Sequence, residues 1–85
     1  MYDIILSEQA VKQLEKLEKN TQERILKVLE RIRVKPEAYV TKLVGNFGYK
    51  LRIGDYRAII DIDNSKPIIS VTKVGHRKNI YKDLG

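Results

Sequence analysis

The chain has no cysteine, which excludes disulfide staples and zinc–thiolate centres and makes a reducing compartment, the cytoplasm, the expected home. With a single histidine, His76, a dedicated transition-metal site is not expected, and no cofactor is called for. No apolar run approaches the roughly 20 residues of a membrane span, and Met1-Tyr2-Asp3 does not read as a signal peptide. Glycine-rich phosphate loops, paired carboxylates and a plausible nucleophilic triad are all missing. Metal-ion, glycosidase and acyl-transfer chemistry therefore drop out together.

What remains is a basic chain of 85 residues, expected to form one domain over 1–85, with a formal charge of +6, 42% apolar and 33% charged residues. The charge is unevenly placed. Residues 8–37 carry eight Lys/Arg against six Asp/Glu, and residues 38–85 carry nine against four. An excess concentrated in one half points to a polyanion or an acidic partner.

Tyr2-Asp3-Ile4-Ile5-Leu6 is a short β-prone opening, and Ser7 is placed to cap a helix in which Ala10, Val11, Leu14 and Leu17 recur. Asn20-Thr21-Gln22-Glu23 reads as a capping box for a second helix. That helix presents Ile25, Leu26, Val28, Leu29 and Ile32 on one broad apolar face and stops before Pro36. Residues 35–48 read as a linker. A last strand runs from Pro67 to Val74 and is expected to break at Gly75, with Asn79 capping a short helix through Leu84. The order β-α-α-β-β-β-α describes an α+β fold: an N-terminal strand, then an antiparallel helix hairpin packed on a mainly antiparallel sheet, with a short C-terminal helix.

The most informative stretch is Tyr49-Lys50-Leu51-Arg52-Ile53-Gly54-Asp55-Tyr56-Arg57-Ala58. Apolar and basic residues alternate on both sides of Gly54-Asp55, a pair suited to a two-residue hairpin loop with glycine first. Folding there sets Ile53 opposite Tyr56, Leu51 opposite Ala58, and Arg52 opposite Arg57. Leu51, Ile53, Tyr56, Ala58, Ile60 and Ile62 then share one face, and Lys50, Arg52 and Arg57 the other. Like charges directly across a strand pair destabilise a sheet, so the facing arginines call for a compensating anion. Guanidinium groups suit phosphate because they bind it through two parallel hydrogen bonds.

A second cluster, His76-Arg77-Lys78 with Tyr81, follows the last strand. It is expected to emerge near Arg52 and Arg57 if that strand pairs beside the hairpin. Together Lys50, Arg52, Arg57, His76, Arg77 and Tyr81 offer four cations, an imidazole and a phenol. Cations stabilise charge building on the oxygens of a phosphodiester, while His or Tyr moves protons. The 2′-hydroxyl of RNA supplies its own nucleophile, so no metal-activated water is needed.

At these residues the chain resembles the RelE/ParE toxin superfamily. The likeness is carried by Tyr2-Asp3-Ile4, the helix hairpin, Lys42-Leu43 with Gly45, Tyr49-Lys50-Leu51-Arg52, Gly54-Asp55-Tyr56-Arg57 and Val74-Gly75-His76-Arg77-Lys78-Asn79-Ile80-Tyr81. Within the superfamily it looks most like RelE, a toxin that cleaves mRNA in the ribosomal A site. The resemblance implies a metal-independent endoribonuclease, bound and neutralised by a RelB-like antitoxin in a hetero-oligomer. Lys50 matches a catalytic lysine, Arg57 and Arg77 the pair holding the scissile phosphate, and Tyr81 the tyrosine stacked near the cleaved nucleotide. Lys42, Lys50, Arg52, Arg57, Lys73, Arg77 and Lys78 form the expected RNA-binding set. Two departures stand out: Gly48 occupies the place of a second RelE lysine, and His76 that of a lysine found in some RelE proteins. Two other readings remain open at this point. One is a ParE-like inhibitor of DNA gyrase on the same fold, and the other a non-catalytic basic module binding RNA or an acidic protein.

Overall fold

The computed structural model describes residues 1–45 and 48–81. Strand β1 (Asp3–Leu6) leads through Ser7 into α1 (Glu8–Glu15), and α2 (Lys19–Ile32) follows after three residues. A 3-10 turn at Pro36–Ala38 precedes β2 (Val40–Lys42), β3 (Tyr49–Ile53), β4 (Tyr56–Asp63) and β5 (Ile68–His76). The five strands form one sheet in the order β1-β5-β4-β3-β2. β1 runs parallel to β5, and the other three pairings are antiparallel. The helices pack on this sheet, as an α+β fold requires.

Ser7 caps α1 as expected. Its Oγ accepts the Ala10 N–H at 3.0 Å and donates to the Thr72 carbonyl at 3.0 Å, so one hydroxyl both starts the helix and ties it to β5. Ser7→Ala removes both bonds. It is expected to cost about 1–2 kcal/mol, read as a lower denaturation midpoint at unchanged m-value.

The capping box at Asn20 does not form. The cap is Glu18, without a side-chain hydrogen bond, and Asn20 lies inside the first turn. Gln22 reaches back instead, donating from Nε2 to the Leu17 carbonyl at 2.8 Å. That bond ties the new helix to the end of the preceding turn.

The core is built from Ala10 and Leu14 of α1, Ile25, Leu29 and Ile32 of α2, and Leu51, Ile53, Ala58, Ile60, Ile69, Val71 and Val74 of the sheet. Val11 and Leu26, read as core positions, are exposed at 40% and 45%. Each sits one residue, about 100°, away from the buried row of its helix, so the apolar stripes are narrower than composition suggests.

Two strand boundaries differ from expectation. β2 lies inside the segment read as a linker, pairing Val40 with Leu51 and Lys42 with Tyr49. β5 continues through Gly75 to His76 rather than breaking. Gly75 lies opposite Arg57, and Ile80 folds over it so closely that a Cβ there would meet the Ile80 Cδ1 at 3.2 Å. The glycine admits a neighbour; it does not end the strand. Beyond His76, residues 77–81 form turns closed by Asn79 and Ile80 N–H groups on the His76 carbonyl. The remainder of the helix expected through Leu84 lies outside the described residues.

Candidate phosphate-binding site

The hairpin folds in the expected register: Ile53 faces Tyr56, Leu51 faces Ala58 and Arg52 faces Arg57. Gly54 supplies the positive φ of 58° at the first turn position, while Asp55 keeps a negative one, the arrangement of a type II′ loop. Alternation from this register puts Lys50, Arg52 and Arg57 on the face turned away from the core.

The opposition of Arg52 and Arg57 is relieved by geometry. Arg57 turns its guanidinium back onto the hairpin loop, where Nη1 donates to the carbonyls of Gly54 and Tyr56, each at 2.7 Å. Carbonyl dipoles thus meet part of its charge, and three or more of its five N–H donors remain for a ligand. Arg77 reaches the same loop from the turn that follows β5. Its backbone N–H donates to the Asp55 carbonyl at 2.8 Å, and its Nε lies 3.7 Å from the Asp55 carboxylate. Arg57 and Arg77 therefore meet at Gly54-Asp55, and Arg52 lies at the same end of the sheet, directly across from Arg57. Both groups of the Arg77–Asp55 pair are exposed, at 55% and 73%, so the pair contributes little stability and opens readily to a stronger anion.

Lys50 sits two positions along β3, between Thr41 and Ile59 across the two strand pairs. The row continues to Lys73, which faces Ile59 from β5 but is only 7% exposed. Lys73 is consequently a poor surface contact for a polymer. Lys42 faces Tyr49, which puts it on the helix side of the edge strand β2, away from Lys50. Lys78 and Tyr81 are exposed on the turn after β5, Tyr81 at 39%.

His76 departs most from the expected grouping. It pairs with Tyr56, and the two rings meet edge-on with centroids 5.4 Å apart at 78°. Tyr56 packs against the core, so His76 falls on the helix side of the sheet while Arg57 faces the other way. Its Nδ1 accepts the Lys78 N–H at 3.1 Å. The imidazole is thereby separated from the arginines by the thickness of the strand.

Sequence reading missed Asp55 as a site residue, although its place between Gly54 and Tyr56 marks it as the loop position closest to both arginines. It also missed the burial of Ile59 and Ile80, at 3% and 2%, outside the main core cluster. Gly48 has its own explanation: its φ is 85°, and a Cβ would lie 2.5 Å from the Ile60 carbonyl oxygen. A side chain does not fit that backbone.

Two perturbed ionisable groups lie at the far end of the sheet. Burial raises the Tyr2 phenol, helped by Glu37, and its hydroxyl donates to Asn64 Oδ1. The Ser65 hydroxyl lowers Asp63, whose carboxylate closes the turn before β5. Both are structural. No group of three or more metal-binding side chains occurs among the described residues, and no described helix is long and apolar enough to cross a membrane.

Comparison with known proteins agrees with this architecture. The sequence model of the ParE toxin of the parDE type II toxin–antitoxin system matches residues 4–81. None of the curated proteins matches. Among solved structures, the archaeal RelE–RelB complex from Pyrococcus horikoshii is 29% identical with a TM-score of 0.77, covering 92% of this chain and 97% of that one. The E. coli RelBE toxin–antitoxin complex is 31% identical with a TM-score of 0.74, over 89% and 96%. RelBE2 of Mycobacterium tuberculosis superimposes with a TM-score of 0.83 at 20% identity, over 89% and 98%, a likeness of fold. The strand hairpin, the arginine cluster and the match over residues 4–81 lead to one assignment: the chain belongs to the ParE toxin family of type II toxin–antitoxin systems, within the RelE/ParE superfamily.

Proposed function

We propose that this toxin is a metal-independent endoribonuclease that cleaves mRNA in the ribosomal A site of the cytoplasm and is neutralised by a RelB-like antitoxin. The observation that carries the reading is the meeting of Arg57 and Arg77 at one loop, with Arg52 directly across from Arg57 and Lys50 on the same sheet face as these strand arginines. Cations so placed hold a phosphodiester and stabilise the negative charge that grows on its non-bridging oxygens. The 2′-hydroxyl attacks phosphorus and loses its proton, the bond to the 5′-oxygen breaks, and that oxygen takes up a proton. The products are a 2′,3′-cyclic phosphate and a 5′-hydroxyl end. Lys50 acts here as a charge stabiliser beside the arginines. Tyr81, on the turn that follows Arg77, is the side chain assigned to the nucleotide being cut. The RelE–RelB and RelBE complexes among the structural neighbours support an antitoxin partner for this chain.

A second reading, inhibition of DNA gyrase, is favoured by two specific observations. The matching family model is that of ParE. The basic face also holds no imidazole, because His76 pairs with Tyr56 on the other side. Primer extension on cellular mRNA after induced expression separates the two. Discrete in-frame cuts, suppressed by co-expressing the antitoxin, are expected. Intact messages with arrested DNA replication would overturn the nuclease reading in favour of gyrase.

A further inference from the structure

A cleft of about 500 Å³ lies between the C-terminal end of α1 and the turn after β5. Gln13, Lys16 and Leu17 form one side, Tyr56 and His76 contribute rings, and Ile80 contributes an apolar wall. No carboxylate lines it. Its polar groups are biased towards donors. Gln13 Oε1 is already occupied by the Val74 N–H at 2.8 Å, which leaves the amide N–H₂. His76 Nδ1 is occupied by the Lys78 N–H, so the other ring nitrogen carries the proton and donates. Lys16, exposed at the end of α1, adds a positive charge.

A cleft with donors, two lysines (Lys16 and the more buried Lys73), two aromatic rings and apolar walls suits a flat, acceptor-rich, negatively charged ligand. In an edge-on pair each ring keeps at least one face clear of the other, and a nucleobase stacks on such a face without regard to its identity. The position adds the second argument. β4 begins at Tyr56 and β5 ends at His76, so the sheet stops there, and a strand of nucleotides passing around that end meets the arginine cluster on one face and the cleft on the other.

We propose that this cleft binds the nucleotide next to the scissile phosphate, with its base against the Tyr56–His76 pair and its own phosphate at Lys16. The inference rests on the nuclease reading for its place in the reaction, but the binding is measurable alone. NMR titration of the isolated toxin with 5′-AMP, with inorganic phosphate as the control, reads it directly. 5′-AMP should shift the amides of Leu17 and Val74 and the His76 ring at concentrations where phosphate does not. Lys16→Glu should weaken that binding about tenfold, since one phosphate contact is reversed in sign. It should lower the melting transition by only a few degrees, because Lys16 caps the exposed C-terminal end of α1, where a carboxylate opposes the helix dipole. In cleavage assays the same variant should lose mainly in KM.

Equal shifts with phosphate alone would overturn the proposal by reducing the cleft to a simple anion site. So would the absence of shifts there, or unaltered 5′-AMP affinity in Lys16→Glu. Cleavage of messages by a toxin whose cleft ignores 5′-AMP overturns the subsite and leaves the nuclease. Binding of 5′-AMP in the cleft, lost in Lys16→Glu, by a toxin that cuts no message supports the nucleotide site and overturns the nuclease.

Discussion

Arg57→Ala and Arg77→Ala are each expected to slow RNA cleavage by about 10²–10³-fold, the usual consequence of removing one preorganised donor to a transition-state oxygen. The two guanidinium groups meet at Gly54-Asp55 from β4 and from the turn after β5, so neither can take over the other's position. Their effects on stability should differ from their effects on rate. Removing Arg57 deletes two hydrogen bonds to loop carbonyls but also relieves its opposition to Arg52. These contributions oppose, and Arg77 gives up only an exposed pair. The melting temperature of both variants should therefore stay within a few degrees of the parent, since about 1 kcal/mol moves a domain of this size by roughly 4–8 °C. Single-turnover cleavage on programmed ribosomes, with a thermal melt on the same preparations, separates the two quantities. Wild-type cleavage by both variants at equal soluble concentration would remove the arginine cluster from the mechanism.

The hairpin at the centre of this site was legible because several independent signals agreed. Strand alternation, the Gly54-Asp55 loop and the apolar set on one face admit a single register, and a slip of one residue would bury Arg52. The Ser7 cap was legible for a similar reason, since a hydroxyl before an apolar-periodic segment has one common use. Local pattern failed where a long-range partner decides. β2 is three residues long, and only its pairing with β3 makes Val40–Lys42 a strand. Gly75 reads locally as a breaker, yet Ile80 packing above it is the reason a glycine is there. The face of His76 was misread because its strand was ended one residue before Gly75. Once β5 continues to residue 76, pairing with Tyr56 carries the imidazole to the helix side. The shared face of Lys50, Arg52 and Arg57 was thus readable from the chain, and the face of His76 was not.

Gly48→Lys, which installs the lysine of the RelE pattern, is expected to destabilise the fold rather than enhance cleavage. Two costs combine at this position. A non-glycine residue at φ 85° carries left-handed strain of about 1–2 kcal/mol. Its Cβ would also lie 2.5 Å from the Ile60 carbonyl oxygen, a backbone atom of β4 that cannot swing aside as a side-chain tip would. Relaxing that contact disturbs the pairing of Tyr49 with Ile60, which begins the β3–β4 ladder carrying Lys50, Arg52 and Arg57. Roughly 2–4 kcal/mol in total is a large share of the stability of a small domain, about 5–15 kcal/mol. The melting temperature should fall by roughly 10–20 °C. Gly48→Asn and Gly48→Ala divide the loss: both add the Cβ, but asparagine tolerates a positive φ better. Their shared deficit measures the contact with β4, and the difference between them measures backbone strain. A Gly48→Lys protein that melts with the parent would show that this backbone adjusts freely, and the absence of the lysine would then have no structural cause. If the variant melts early as expected, the backbone at Gly48 itself accounts for the absence of a lysine at this position. On the proposed nuclease reading, the phosphate charge then falls to Lys50, Arg52, Arg57 and Arg77.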